Sequence, residues 1–101
     1  MIPATSPNDC QTMAQVRAGV DALDRELVAL LARRFAYMRA AARIKPERAM
    51  VRDEARKAAV ITAARAEAQR LGAPAERIAA LWEALVESSI AYELEQWDAK
   101  L

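Results

Sequence analysis

Residues 12–45 read TMAQVRAGVDALDRELVALLARRFAYMRAAARIK, and this stretch decides the fold. Thr12 and Gln15 have the spacing of a capping box, in which each side chain bonds the other residue's backbone N–H. Apolar residues then recur mostly at steps of three and four, the period of one helix face, and Arg34 interrupts this stripe. Pro46 keeps Lys45 out of helical geometry. The pattern predicts one helix of about 32 residues and roughly 48 Å.

A helix of that length projects beyond what its own chain can cover, because a compact domain of about 100 residues has a radius of gyration of about 13 Å. The apolar stripe therefore needs a second copy of the chain. A two-fold homodimer with the long helices packed together is the simplest closed arrangement. The stripe consists of Met13, Val16, Val20, Leu23, Leu27, Leu30, Met38 and Ala41.

Two shorter helices are predicted to follow. Asp53 has the position of an N-cap for the second helix, Gly72 ends it, and Pro74 suits the first position of the third. We expect an all-α fold of three helices, one long and two shorter, that forms a two-fold homodimer. Residues 1–11 are an N-terminal extension and residues 12–101 the helical domain. The predicted third stripe is Ile78, Leu81, Trp82, Leu85, Ser89, Tyr92, Glu93, Gln96 and Trp97.

The composition excludes several function classes. With 15 Lys and Arg against 14 Asp and Glu, the net charge of +1 gives no general attraction to nucleic acid or to an anionic membrane. No secretory signal and no apolar run of about eighteen residues occurs, so we expect a cytoplasmic protein. The absence of His and the single Cys10 exclude a disulfide within the chain, a His/Cys zinc site and a His-based relay. A Mg²⁺ site made of carboxylates alone stays open, but nothing in the sequence points to one, so we expect no metal.

Three cations define a candidate pocket. Arg34 and Lys45 are eleven residues apart, which places them within about 20° of the same helix face. Arg17 lies roughly 25 Å from Arg34 on that helix, too far to share a small ligand with it. In an antiparallel pair of long helices, however, Arg17 of one subunit can approach Arg34 and Lys45 of the other. Burying a cation without an anion beside it costs several kcal/mol of folding free energy, because the cation loses its hydration. The dimer therefore predicts a pocket for a ligand with carboxylates, which arginine binds through two parallel hydrogen bonds.

Each polar residue also has an ordinary interpretation when taken singly. Arg34 could pair with Glu87 or Glu93, and Lys45 could be a cation at the C-terminal end of its helix. Asp53 serves as an N-cap whatever the function. Arg56 reads as a surface residue and Ser89 as a small packing residue. Only the occurrence of these residues together favours a ligand-binding site.

The run VRAGVDALDRELVALLARR, residues 16–34, closely resembles the first helix of the all-α chorismate mutases. Lys45, then Val51–Asp53 with Arg56, and finally Ser89 with Glu93 fall at the spacings of that family. The resemblance extends from about residue 10 to residue 97. It implies an intertwined homodimer with no cofactor that rearranges chorismate, a small dicarboxylate, to prephenate.

The resemblance also implies roles for these residues. The arginines matching Arg34 and Arg56 hold the two substrate carboxylates, and the arginine matching Arg17 crosses from the partner subunit. The groups matching Lys45 and Glu93 bond the ether oxygen whose bond breaks. Asp53 and Ser89 match positions that contact the substrate hydroxyl and a carboxylate, or that shape the pocket. Lys57 stands where many members have a glutamate, which puts the hydroxyl contact made there in doubt.

The reaction matches this inventory of side chains. A Claisen rearrangement needs no nucleophile and no proton transfer, so catalysis can consist of holding the reactive conformer and stabilising charge on the ether oxygen. Glu93 can donate a hydrogen bond to that oxygen only if it is protonated. We therefore expect activity to fall as the pH rises.

Two other functions stay open at this point. The isochorismate-pyruvate lyases share the fold, and Asn8–Cys10 and Tyr37–Lys45 are similar to theirs. Those lyases carry glutamine where this chain has Glu93, which favours the mutase. A non-catalytic helical dimerisation module is the alternative of a different class. It would tolerate Arg34→Ala or Lys45→Ala and would not bind small dicarboxylates.

Overall fold

The computed structural model describes residues 4–100 and is all-α over that range. Helix α1 spans Met13–Ile44, α2 spans Glu54–Arg70 and α3 spans Ala75–Ala99. Two short 3-10 turns lie at Pro7–Asp9 and Arg48–Met50. The predicted all-α class and the three helices are confirmed. Among the described residues, none of the helices has the length and apolarity needed to cross a membrane.

The ends of α1 follow from local side-chain chemistry. The Gln15 N–H donates to Thr12 Oγ1 over 3.2 Å, and Gln15 Oε1 accepts from the backbone N–H groups of Gln11 and Thr12 over 2.7 and 3.2 Å. The capping box is therefore confirmed. At the other end the Lys45 N–H donates to Ala41 O over 2.9 Å, and the helix stops before Pro46. The helix has 32 residues, as predicted.

Both ends of α2 lie where the sequence predicted them, and α3 starts one residue later than predicted. Asp53 caps α2 by accepting the Arg56 N–H over 2.9 Å. Gly72 follows α2 with a φ of 70°, a backbone conformation that glycine adopts without strain. Pro74 is the N-cap of α3 and not its first residue, because its ψ of 94° is extended while its carbonyl accepts the Ile78 N–H.

The chain divides into two compact units, one through Arg34 and the other from Phe35. In the first unit the N-terminal segment from Ala4 to Cys10 and one side of α1 enclose an apolar cleft of about 370 Å³. The stripe predicted for α1 is largely uncovered on the single chain, with Leu23, Leu27 and Leu30 each more than half exposed.

The second unit contains the apolar core. The last part of α1 packs on α3, since the rings of Phe35 and Tyr92 meet edge to face with centroids 5.1 Å apart. Helix α2 packs along α3. The core consists of Val51, Val86 and Ile90, with Val60, Ile61, Leu94 and Trp97 packed against them.

The buried face of α3 corrects the predicted stripe. Ser89 and Glu93 are buried, as the stripe required. Leu81 was placed on the stripe but is 62% exposed, whereas Val86 and Ile90, which the stripe omitted, are buried. The face is shifted because Val86 and Ile90 are the residues that pack against Val51.

Candidate functional site

A buried ion pair lies at the centre of the candidate site. Lys45 follows the last residue of α1, and its Nζ lies 2.7 Å from Oε2 of Glu93 on α3. The Glu93 side chain is only 6% exposed and that of Lys45 is 29% exposed. A buried carboxylate without a cation is strongly unfavourable. The two residues that were predicted to share one substrate oxygen are therefore direct partners.

Ser89 lies one turn before Glu93 on the same buried face of α3. Its Oγ donates to the Leu85 carbonyl over 2.7 Å, the common back-bonding geometry of a helical serine. The structure thus places Ser89 beside the ion pair along the helix. A role in substrate contact stays a prediction.

Asp53 and Arg56 lie together at the start of α2, in the same unit as the ion pair. Both are exposed, and Asp53 is occupied as the N-cap through the Arg56 backbone. Within residues 4–100 the Arg56 guanidinium makes no hydrogen bond or ion pair. Its side chain is therefore available to a ligand.

The other two predicted arginines belong to the first unit. Arg17 is exposed on α1. Arg34 is half-buried and already takes part in an interaction. Their predicted roles as carboxylate ligands stay predictions.

Lys57, at the position where the resemblance led us to expect glutamate, is committed to α3. Its Nζ lies 2.7 Å from both Glu83 Oε1 and Glu87 Oε2, and its side chain is 16% exposed. These two carboxylates, Glu83 foremost, raise the pKa of Lys57. The lysine therefore serves to join α2 to α3.

Glu87 is the shared anion of this cluster. Arg52 donates to both of its oxygens, over 3.1 and 2.8 Å, and also donates to Glu54 over 2.9 Å. Hydrogen bonds from Arg52, and then from Lys57, lower the pKa of Glu87 from 4.5 to about 2. The carboxylate stays charged in all but strongly acidic solution.

Sequence reasoning missed two residues that contact the site. The Trp97 Nε1–H donates to the Lys45 carbonyl over 3.1 Å, and Lys100 Nζ donates to the same carbonyl over 2.8 Å. The one relevant feature of the sequence is Pro46, because a proline that follows a helix leaves carbonyls of the last turn without N–H donors. That signal gives the need for donors and not their identity.

The chemical groups of the site are an ammonium, a carboxyl group, a hydroxyl and guanidinium groups. In the range 4–100, no cluster of three or more Cys, Asp and Glu side chains is arranged to hold a metal ion. Such groups can bind carboxylates, hydrogen-bond an oxygen and stabilise negative charge.

Comparison with known proteins identifies the family. The family model described as chorismate mutase type II matches residues 16–94. The chain belongs to the chorismate mutase type II family. An isochorismate pyruvate lyase of Pseudomonas aeruginosa is 29% identical to it over 92 residues, which cover 91% of each chain.

Membership of the chorismate mutase type II family makes this chain an enzyme of that family and confirms the resemblance read from residues 16–34. The matched region includes every predicted site residue, from Arg17 to Glu93. The lyase relative shows that the resemblance extends to proteins with a second named activity.

The Glu87 cluster predicts a pH dependence of stability. Because folding lowers the pKa of Glu87 from 4.5 to about 2, its stabilising effect is complete above pH 4.5 and is lost as the pH falls towards 2. Urea unfolding at fixed protein concentration should therefore show Glu87→Gln less stable than the native chain at pH 7, with the difference shrinking on acidification. Salt at about 1 M should reduce the difference, since the pair is partly exposed.

Glu95→Gln is the matched control, because Glu95 is an exposed carboxylate on the same helix. It should change the unfolding midpoint little at any pH. A difference for Glu87→Gln that stays constant from pH 7 to pH 2 would show that the cluster does not depress this carboxyl group.

Proposed function

We propose that the chain is a chorismate mutase, which rearranges chorismate to prephenate. The observation that carries this proposal is the Lys45–Glu93 pair, in which an ammonium and a buried carboxyl group lie 2.7 Å apart. An ammonium has three donors, and a protonated carboxyl group has one. An ether oxygen that enters between them can therefore accept from the Lys45 ammonium, and from Glu93 when that carboxyl group carries a proton.

The rearrangement breaks the ether C–O bond while a C–C bond forms within the same molecule. Electrons move around a closed ring, so no proton, nucleophile or oxidant is required. Negative charge grows on the ether oxygen as the bond lengthens. Lys45 would stabilise this charge through its ammonium group.

Substrate carboxylates would be held by arginines, as the family resemblance implies. Arg34 and Arg56 are assigned to the two carboxylates, with Arg17 contributed by a second copy of the chain. The exposure of Arg17 and Arg56 supports this assignment, because neither guanidinium is covered by the described chain. Asp53 and Ser89 would contact the substrate hydroxyl or shape the pocket.

A homodimer is part of the proposal. Support comes from the uncovered apolar stripe on α1, where Val20, Leu23, Leu27 and Leu30 are between 49% and 56% exposed. A continuous apolar stripe of this kind on one helix is typical of an association surface. A second copy would cover it and would bring Arg17 to the site.

Isochorismate pyruvate lyase is the second candidate, and the relative from Pseudomonas aeruginosa favours it. In this reaction the ether C–O bond breaks while the hydrogen on the hydroxyl-bearing ring carbon moves to the enolpyruvyl methylene carbon of the same molecule, which releases pyruvate and leaves salicylate. Lys45 would stabilise the same oxygen in either reaction. The two functions therefore share their charge stabilisation and differ in the conformer that the pocket selects.

Turnover of the two substrates separates the candidates. We expect the purified protein to form prephenate from chorismate faster than it forms salicylate and pyruvate from isochorismate. Lys45→Met should lower kcat on the order of 100-fold, since it removes a charge that acts in the transition state. Arg34→Ala should abolish measurable turnover by weakening substrate binding.

Arg70→Met is the control for loss of a cation, because among residues 4–100 Arg70 pairs with Glu67 alone, at the exposed end of α2. It should leave turnover unchanged. Faster formation of salicylate would establish the lyase, and turnover of neither substrate would favour the dimerisation module.

The role of Glu93 predicts a pH effect on kcat. A carboxyl group that donates to the ether oxygen must be protonated, so activity should decline as the pH rises. Glu93→Gln keeps an N–H donor at all pH values and should make the profile flat. A native profile that is already flat from mildly acidic to alkaline pH would rule out the donor role.

If the chain is a homodimer, a charge placed in the apolar stripe of α1 should lower the mass of the protein in solution. Leu27→Lys should convert the protein to a species near the 11.1 kDa of one chain in sedimentation experiments, because it adds a charge to the apolar surface. Ala32→Lys adds the same charge about 140° around the helix and should preserve the dimer. A native protein that already sediments as a single chain would contradict the proposal.

A further inference from the structure

The end of α1 leaves one buried carbonyl without its normal partner. In a continuing helix the Ala42 carbonyl would accept the N–H of residue 46, but Pro46 has none. Ala42 is only 2% exposed, so water has little access to it. A buried carbonyl without a donor is destabilising. Some other group must therefore supply the hydrogen bond.

Lys100 and Trp97 supply donors to this helix end. Lys100 Nζ donates to Ala42 O over 2.9 Å and to Lys45 O over 2.8 Å, while Trp97 Nε1 donates to Lys45 O over 3.1 Å. The ammonium also lies 4.7 Å from the centroid of the Trp97 ring. A cation is favoured at the C-terminal end of a helix. We call Trp97 and Lys100 the capping pair.

The capping pair and Glu93 belong to one side of α3. Glu93 and Trp97 are four residues apart, and Lys100 follows three residues later, which is the spacing of neighbours along a helix face. Lys45 is consequently held at both ends by the same helix. Its carbonyl is bound by the capping pair and its Nζ by Glu93.

We propose that Trp97 and Lys100 are positioning residues that aim the Lys45 ammonium at the reacting oxygen. The inference rests on the proposed function, which assigns that ammonium to the ether oxygen. A lysine side chain has a long flexible stem, so its charge has a defined position only when both its backbone and its ammonium are held. Lys45 follows the last helical residue and precedes Pro46, where no helical hydrogen bonds continue. The capping pair replaces them.

A positioning role has a kinetic signature. Substrate binding depends mainly on the arginines, whereas charge stabilisation depends on the placement of Lys45. Displacing a catalytic charge by a fraction of an ångström affects the transition state more than the bound substrate. Loss of the capping pair should therefore lower kcat and leave KM nearly unchanged.

The variants are Lys100→Met, which removes the charge and the donors, and Trp97→Phe, which keeps an aromatic ring but removes the N–H. Each should lower kcat about tenfold while KM changes less than about twofold. Lys100→Arg keeps a charged donor and should restore most of the activity. Arg70→Met, at the exposed end of α2, should have no effect. Unchanged kcat in both variants, or failure of Lys100→Arg to restore it, would overturn the proposal.

Combining variants shows whether the effect passes through Lys45. In a Lys45→Met background, Lys100→Met should cause little further loss of kcat, because the group that it positions is gone. A full tenfold loss in that background would show that Lys100 acts by another route. Thermal unfolding of each variant, at one protein concentration, identifies any variant that fails to fold.

A second readout does not need turnover. The ammonium signal of Lys45 in ¹H–¹⁵N NMR, assigned by its loss in Lys45→Met, should shift or broaden in Lys100→Met and be retained in Lys100→Arg. An unchanged signal in Lys100→Met would overturn the positioning role even in a protein that turns over neither substrate. Absence of turnover with a perturbed signal would instead contradict the proposed function alone.

Discussion

A carboxylate buried on an apolar helix face requires a cation, and this requirement ties α3 to the end of α1. Glu93 is shielded almost completely, and Lys45 provides the charge that makes its burial tolerable. Lys45 lies at the point where α1 stops before Pro46. The helix end then needs donors, and these come from the same face of α3 that carries Glu93. The Lys45–Glu93 ion pair and the hydrogen bonds to the last carbonyls of α1 thus both hold the end of α1 against α3.

The elements that the sequence predicted well are those decided by neighbouring residues. Thr12 with Gln15, Pro46, and Asp53 each act within one helical turn, so their effects can be read from spacing alone. Gly72 belongs to the same group, since its backbone conformation is a local property. These residues fixed the helix ends, and with them the number and length of the helices.

The features that the sequence did not predict depend on partners far along the chain. The stripe on α3 was misplaced at Leu81, because periodicity gives a repeat but not which of two adjacent faces meets the rest of the protein. Lys57 pairs with residues 26 and 30 positions away, and Lys100 with carbonyls more than 50 positions away. Of the candidate site, the closeness of Lys45 and Glu93 was expected from a family resemblance, in which both groups bond one substrate oxygen, and their direct ion pair was not predicted.

The two ion pairs of Lys57 limit which substitutions the chain can accept at this position. A glutamate at residue 57 would add a third carboxylate beside Glu83 and Glu87 and would leave Arg52 as the cation facing them. Like charges at such short range repel. A Lys57→Glu substitution would thus need a compensating change on α3, so residues 57, 83 and 87 form an epistatic unit, in which the effect of changing one residue depends on the other two.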